Sequence, residues 1–175
     1  MVASNVFRPW SIGALLLVTS ISVRSLSAQG APANVEFKGS PQSNIAASVA
    51  IPPGAAWVWT SGTVPAVADR NAPPGSRARY GDTKTQAVSV LRIIDERLKE
   101  HGLSLRDVVY LRAYLVPDKE KGGTIDVQGW NEAYGMFFNN ADNPVKPARS
   151  TVGVAALVNP DWLIEIEAFA VFPRR

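Results

Sequence analysis

Hydrophobic positions spaced three and four residues apart predict a long helix between Thr83 and His101. Its apolar face is formed by Ala87, Val90, Leu91, Ile94 and Leu98. Thr83 and Gln86 have the spacing of a capping box, with Asp82 as an alternative N-cap. Gly102 follows as a C-terminal stop. We therefore expect an amphipathic helix with one face in the core.

Strict alternation predicts a strand from Val108 to Val116. One face of this strand carries Val109, Leu111, Ala113 and Leu115, and the other carries Tyr110, Arg112 and Tyr114. A second helix is predicted from about Val127 to Asn139, with one stripe formed by Val127, Trp130, Tyr134 and Phe138. Gly129 and Gly135 weaken this helix, so packing must hold it.

Shorter strand signals lie on both sides of these elements. Before the first helix they cover residues 35–37, 45–51 and 57–60, and a long proline-rich loop occupies residues 64–80. At the end of the chain, Arg149 to Leu157 and Trp162 to Val171 are strand-like, and Asn159-Pro160-Asp161 between them predicts a hairpin turn. The order of elements predicts an α+β domain with two helices on one face of a mixed or antiparallel sheet.

The first thirty residues have a different pattern. Arg8 precedes an apolar run from Ile12 to Val23, and small residues follow it up to Ala28. The run is about a dozen residues long, shorter than the roughly 20 needed to span a bilayer. We predict a cleaved signal peptide over residues 1–28, a single domain over residues 29–175, and a periplasmic or secreted protein without membrane attachment after cleavage. An uncleaved anchor or a buried first helix is the alternative.

Removal of this segment changes the charge of the protein. The chain has 18 basic and 15 acidic residues and a net charge of +3, and loss of Arg8 and Arg24 leaves +1. A near-neutral domain gives little electrostatic reason to bind nucleic acid or anionic membranes. The chain has no cysteine and one histidine, His101, which excludes thiol catalysis and a metal cage of histidine and cysteine ligands from one chain. We accordingly expect no metal and no cofactor.

Five ordered motifs carry a family resemblance. Pro147-Ala148-Arg149-Ser150 and Ile164-Glu165-Ile166-Glu167-Ala168 lie near the end of the chain, preceded by Thr60-Ser61-Gly62, Gln86, and Asn131-Glu132-Ala133-Tyr134. Together they resemble the YjgF/RidA family over roughly residues 40–175. The resemblance implies a chorismate-mutase-like α+β subunit assembled as a homotrimer, with clefts between subunits. It also implies an enzyme like a 2-iminobutanoate/2-iminopropanoate deaminase, which hydrolyses 2-imino or enamine acids to 2-keto acids and ammonia.

The chemistry of such a substrate suits the residues that match. The planar guanidinium of Arg149 would bind the substrate carboxylate through two parallel hydrogen bonds. Glu165 would place a water molecule and move a proton during hydrolysis. Backbone N–H groups of Gly62 and Thr151 would hold substrate oxygens, and the family positions add Ser61 and Asn131 to the binding site. Glu167 shares a strand face with Glu165 and is interpreted as structural.

The predicted hairpin has a geometric consequence. With a turn centred on Pro160, Glu165 would pair near Ala155, about six residues or roughly 20 Å from Arg149. Both groups would then serve one substrate only if they came from neighbouring chains, so we expect sites at subunit interfaces.

Two departures from the family pattern leave the function open. An early tyrosine of many members corresponds to Ile45 here, and a frequent cysteine corresponds to Thr151. The first change favours an alternative, a noncatalytic trimer that binds small carboxylates or a partner in the same clefts. RNA cleavage is a weaker alternative, because the mature chain is near-neutral and lacks a pair of histidines for acid–base work.

Overall fold

The computed structural model describes residues 30–173. The predicted signal peptide, residues 1–28, lies outside the described residues. Within residues 30–173, no helix combines the length and apolar character needed to cross a bilayer.

The chain forms a mixed sheet with helices on one face. The strands are β1 (Glu36–Lys38), β2 (Ser48–Ala50), β3 (Trp57–Trp59), β4 (Val108–Leu115), β5 (Ala148–Gly153) and β6 (Ile164–Val171). The helices are α1 (Arg77–Tyr80), α2 (Thr83–Glu100) and α3 (Val127–Gly135), and single 3₁₀ turns cover Leu105–Asp107 and Lys119–Lys121. The main sheet has four strands in the order β3-β6-β4-β5, and β1 and β2 form a separate ribbon. This architecture confirms the predicted fold class.

The predicted C-terminal hairpin is wrong. β4 lies between β5 and β6, pairing in parallel with β5 and antiparallel with β6. The inward-facing residues of β6, from Ile164 to Ala170, are buried, as expected for a central strand with neighbours on both sides. Strand β5 lies at an edge of the sheet and is more exposed. Glu165 therefore pairs with Tyr114 and not near Ala155.

Helix α2 confirms the predicted amphipathic face but not the capping box. Its predicted apolar residues Ala87, Val90, Leu91, Ile94 and Leu98 are all fully buried. Asp82 is the N-cap, and its carboxylate accepts a hydrogen bond from the Thr85 N–H. Gln86 is buried and instead bonds the loop before β6, donating to the Asp161 carbonyl at 3.1 Å and accepting from the Leu163 N–H at 2.8 Å. Gly102 has a φ of +73°, which suits its predicted role after the helix.

Helix α3 packs beside α2 over the same sheet face. Trp130, Tyr134 and Phe138 are buried as their shared stripe predicts, while Val127 at the N-terminus is exposed. The Trp130 and Tyr134 rings meet edge to face at 5.8 Å between centroids, and Tyr134 stacks on Phe138 at 5.1 Å. The helix ends at Gly135, earlier than predicted.

The opposite face of the sheet is not covered by any described helix. It carries Tyr110, Arg112 and Tyr114 from β4, as the alternation predicts, with Glu165 and Glu167 beside them on β6. At the β3 edge, Trp57 and Trp59 are 54% and 55% exposed, and the Trp57 ring stacks on Phe169 at 4.7 Å. Large exposed aromatic side chains on a sheet face are typical of an interaction surface.

Candidate active site

Arg149 lies on the edge strand β5, where it pairs with Leu111 of β4. Its guanidinium carbon stands 5.2 Å from the Trp130 ring centroid and 4.7 Å from that of Tyr134. Its Nη2 donates a 2.7 Å hydrogen bond to the Asn131 Oδ1. Helix α3 thus supplies two aromatic rings and one amide that fix the direction of the Arg149 side chain.

The electrostatics of this group keep it cationic. Burial lowers the pKa of Arg149, with the nearby Tyr134 acting in the opposite direction, but an arginine remains protonated at neutral pH. Burial raises the pKa of Tyr134 to about 12, so its hydroxyl stays neutral and donates to the Asn44 carbonyl at 2.9 Å. The two rings therefore face one permanent positive charge.

One donor of this cation is left unused. The Arg149 Nη1 is shielded from solvent and has no hydrogen-bond partner among residues 30–173. A buried donor on a charged group without a partner is costly, and a bound anion or a neighbouring chain would satisfy it. Arg149 lies on β5, the edge strand of the main sheet, where Ala46 forms a bridge with the neighbouring Ala148.

Thr151 lies two residues further along β5. Its Oγ1 accepts a 3.1 Å hydrogen bond from the Trp130 Nε1, so the side chain is already engaged within the subunit. The role of the Thr151 backbone N–H in holding substrate oxygens stays a prediction. Arg149, Asn131 and Thr151 are nevertheless brought together, as the family positions imply.

Glu165 and Gly62 form a second group on the other side of the sheet. A Cβ placed on Gly62 would lie 1.7 Å from the Glu165 Oε1, so only glycine leaves space for this carboxylate. Ser61 precedes Gly62, and Thr63 forms a bridge with Ile166 that holds the turn against β6. Glu165 makes no side-chain hydrogen bond or ion pair within the part of the chain that the structure describes.

Glu167 has a different environment from Glu165. Its carboxylate lies 3.4 Å from the Arg112 Nη1 and 3.5 Å from the Tyr114 hydroxyl. These contacts agree with the interpretation of Glu167 as a structural residue. Glu165 is the carboxylate of β6 whose side chain makes no hydrogen bond or ion pair within the described residues.

The two groups are separate within one subunit. Arg149 pairs with Leu111 and Glu165 pairs with Tyr114, three positions apart on β4, which corresponds to about 10 Å. Paired residues of neighbouring strands point to the same face, and successive residues of one strand point to opposite faces. Because Leu111 and Tyr114 are three residues apart, Arg149 points to the helices and Glu165 points to the open face. The register expected from a hairpin and its separation of roughly 20 Å were wrong, and the two groups are instead kept apart because they lie on opposite faces of the sheet.

The sequence analysis placed Trp130 and Tyr134 on the packing stripe of the second helix and missed their contact with Arg149. The motif Trp130-Asn131 followed by Tyr134 contains the signal, since residues four apart on a helix share a face. Ile45 is partly buried against the core, next to Ala46, which forms a bridge with Ala148 of β5. Within the described range, no group of three or more histidine, aspartate or glutamate residues is arranged to hold a metal ion.

Residues 44–172 match the family model described as Endoribonuclease L-PSP. The chain belongs to this family. The match confirms the resemblance to YjgF/RidA proteins that the sequence motifs carry.

Curated members of the family are similar over part of their length. A RutC family protein from Pyrococcus abyssi is 40% identical over 90 residues, which cover 51% of this chain and 62% of the relative. A RutC family protein from Pyrococcus horikoshii is also 40% identical over 90 residues, covering 51% of this chain and 63% of the relative. The matched segment spans less than two thirds of either relative.

Solved family structures share the fold. The Rid family protein YyfB from Yersinia pestis has a TM-score of 0.59 at 24% identity, covering 79% of this chain and 99% of that chain. TdcF from Escherichia coli, in a structure with bound serine, has a TM-score of 0.51 at 28% identity, covering 70% of this chain and 84% of that chain. These likenesses agree with the mixed sheet and its two helices.

Proposed function

We propose that this protein hydrolyses 2-imino or enamine acids to 2-keto acids and ammonia, at sites shared by neighbouring subunits of a homotrimer. The observation that carries the proposal is Arg149, a cation held by Trp130, Tyr134 and Asn131 with one unpaired Nη1. A fixed guanidinium at a sheet edge is suited to a substrate carboxylate. TdcF, a structural neighbour at 28% identity, has been solved with bound serine, a small molecule that carries a carboxylate.

Glu165 supplies the acid–base function of the proposed reaction. It accepts a proton from a water molecule whose oxygen bonds to the imine carbon, and it returns a proton to the nitrogen. The proton of the resulting hydroxyl group passes through Glu165 to the nitrogen in the same way, so the C–N bond breaks, ammonia leaves, and the carbon retains the oxygen as a ketone. The free carboxylate of Glu165 and the cleared space at Gly62 support this role.

Assembly is required because one subunit keeps the two groups on opposite faces. The open sheet face offers Trp57 and Trp59, each more than half exposed, as contact residues for other subunits. In a closed ring, each interface would bring the Glu165 group of one chain to the Arg149 group of the next.

Two other functions have an observation in their favour. Ile45 lacks the hydroxyl that many family members have at the position assigned to it, which favours a trimer that binds carboxylates without catalysis. The family description Endoribonuclease L-PSP favours RNA cleavage. A single histidine, His101, which caps the end of α2, argues against the acid–base pair that RNA cleavage commonly uses.

The test uses protein that begins at Gln29. An amino-acid oxidase generates 2-imino acids in the presence of semicarbazide, and trapped imine is measured by absorbance. The proposal expects wild-type protein to lower trapping, Arg149→Ala to abolish this effect, and the exposed-arginine control Arg70→Ala to retain it. Absence of any effect with several side-chain types would favour the binding trimer, and cleavage of a labelled RNA by wild type but not by Arg149→Ala would favour the nuclease.

We also propose that the protein is exported. This proposal rests on the apolar segment before Ala28, and N-terminal sequencing of protein from a periplasmic or culture fraction tests it. A mature chain beginning near Gln29 would support export, and a full-length chain confined to the cytoplasm would overturn it.

A further inference from the structure

Two residues beside Glu165 give the open sheet face a local apolar floor. Glu165 on β6 pairs with Tyr114 on β4, and Tyr114 pairs with Val152 on the edge strand β5. Paired residues of neighbouring strands point to the same face, so all three side chains lie on the open face. Neighbouring strands are about 4.8 Å apart, which places Val152 about 10 Å from Glu165, with Tyr114 between them. We call Tyr114 and Val152 the apolar floor.

Both residues of the apolar floor are accessible from solvent. Val152 is 44% exposed, and Tyr114 is half-buried. Helices α2 and α3 pack on the other face of the sheet, so neither of them covers this surface. A molecule that lies on Tyr114 and Val152 therefore gains free energy by removing their apolar surface from water.

The next row of residues on the same face is polar, but its charges already have partners. This row consists of Glu167, Arg112 and Ser150, paired across the same three strands. The Arg112 Nη1 lies 3.4 Å from the Glu167 carboxylate, and hydrogen bonds with the Tyr114 and Tyr110 hydroxyls raise the pKa of Arg112 above its ordinary value. Arg112 is thus held within the subunit and offers no free cation to an acidic ligand side chain.

The surroundings of Glu165 leave one direction for a bound molecule to extend. On the β3 side, a Cβ at Gly62 would lie 1.7 Å from the Glu165 Oε1, and Thr63 forms a bridge with Ile166. Backbone and the Glu165 carboxylate fill that side. The β4 side, with Tyr114 and then Val152, is the direction left for a substrate side chain. The charge of Glu165 also disfavours a negative side chain beside it.

We propose that Tyr114 and Val152 bind the side chain of the substrate and select 2-imino acids with a branched or otherwise extended apolar side chain, such as the one derived from leucine. This inference rests on the proposed function. The substrate carboxylate meets Arg149 of one subunit, the imine carbon lies at Glu165 of the next, and the side chain lies on the apolar floor beside that Glu165. A methyl side chain does not reach Val152, and an acidic one meets no free cation.

The stable 2-keto acid products are the probes, so that binding is measured without turnover. 4-Methyl-2-oxopentanoate carries the leucine side chain, pyruvate carries a methyl group, and 2-oxoglutarate carries an acidic side chain of similar length. In isothermal titration calorimetry of protein that begins at Gln29, 4-methyl-2-oxopentanoate is expected to bind at least about tenfold more tightly than either of the others, because its additional carbon atoms cover apolar surface. Equal or tighter binding of pyruvate or 2-oxoglutarate, or no binding of any probe, would overturn the proposal.

Two variants of Val152 test the apolar floor itself. Val152→Thr keeps the shape of the side chain but replaces a methyl group with a hydroxyl group, and it is expected to lower the preference for 4-methyl-2-oxopentanoate over pyruvate by about threefold. Val152→Lys adds a cation and is expected to make 2-oxoglutarate the tighter ligand. Val158→Thr is the matched control, because Val158 is 93% exposed and lies outside the apolar floor. An unchanged order and ratio of affinities in either Val152 variant would overturn the proposal.

The semicarbazide assay separates this inference from the proposed function. If the expected order of keto-acid affinities is found without deaminase activity, the apolar floor is the side-chain site of a carboxylate-binding trimer, and only the proposed reaction fails. If deaminase activity is found with equal affinities for the three keto acids, the proposed reaction stands and the role of Tyr114 and Val152 is overturned.

Discussion

Gly62 is so close to Glu165 that a Cβ at position 62 would lie 1.7 Å from the Glu165 Oε1 and 2.8 Å from its Cδ. The contact is with the end of a flexible side chain, so Gly62→Ala should fold while displacing the Glu165 carboxylate. Since misplacement of a catalytic group by about 1 Å costs roughly 100-fold, we expect a loss of deaminase activity by about 10- to 100-fold. The semicarbazide trapping assay measures it.

Gly135→Ala is the matched control for this variant. Nothing lies within 4 Å of a Cβ at position 135, at the end of α3, so the substitution should leave activity unchanged. Thermal unfolding of both variants checks the fold. Full activity of Gly62→Ala would show that the observed position of Glu165 is not needed for turnover.

Separation of Arg149 and Glu165 on opposite sheet faces predicts complementation between subunits. Arg149→Ala and Glu165→Gln are each expected to be inactive as homo-oligomers. When equal amounts are unfolded together and reassembled, a site needs an intact Arg149 from one chain and an intact Glu165 from the next. Random mixing therefore predicts recovery of about a quarter of wild-type activity. Recovery of no activity, with mixed oligomers demonstrated by affinity tags, would mean that each site belongs to one chain.

The sequence predicts local elements well because their signals are local. The five apolar positions of α2 and the alternation of β4 each identify an element and its buried face without knowledge of its neighbours. The C-terminal hairpin failed because strand pairing is not local. A turn sequence such as Asn159-Pro160-Asp161 redirects the chain equally well when β4 lies between the two strands.

In the candidate site, too, local sequence motifs predict the residues, whereas their arrangement depends on non-local pairing. Motifs identified the side chains of Arg149 and Glu165, but the face on which each lies depends on the register of β5 and β6 with β4. The cleft of about 450 Å³ between the connections around residues 75–81, 116–123 and 155–163 could not be predicted, because its walls are irregular segments joined by tertiary hydrogen bonds. The helical turn α1 within the predicted loop was missed for a related reason: at four residues it gives no periodic signal.

The exposed aromatic pair on the open face predicts a role in assembly. Trp57→Ser combined with Trp59→Ser should shift the oligomer toward monomer and reduce deaminase activity in parallel, since a composite site requires assembly. Analytical ultracentrifugation measures the shift. Met136→Ser is the control, because Met136 is 55% exposed but follows α3 on the helical side. An unchanged oligomer in the double variant would exclude these tryptophans from the interface.

Asp126 predicts a pH-dependent contribution to stability. It is the N-cap of α3, accepting from the Gly129 N–H at 2.9 Å and lying 2.9 Å from the Lys121 ammonium, with a side chain only 5% exposed. Burial by itself raises the pKa of Asp126. Lys121 and the hydrogen bond from the Gly129 N–H lower it by a larger amount, so the pKa lies below its ordinary value. A carboxylate whose pKa is lowered by folding stabilises the fold fully at pH values above its pKa in the unfolded chain, about 3.9. This stabilisation is lost as the pH falls through the lower pKa of the folded protein.

We therefore expect Asp126→Asn to lower the free energy of unfolding by about 1–2 kcal/mol at pH 7, since asparagine still caps the helix but loses the ion pair. The difference from wild type should shrink as the pH is lowered from 4 toward 2, because wild type then loses the same charge. Urea unfolding followed by circular dichroism across this range measures it, with the exposed Asp142→Asn as control. Parallel pH profiles for wild type and Asp126→Asn would show that the carboxylate at the N-terminus of α3 does not contribute through its charge.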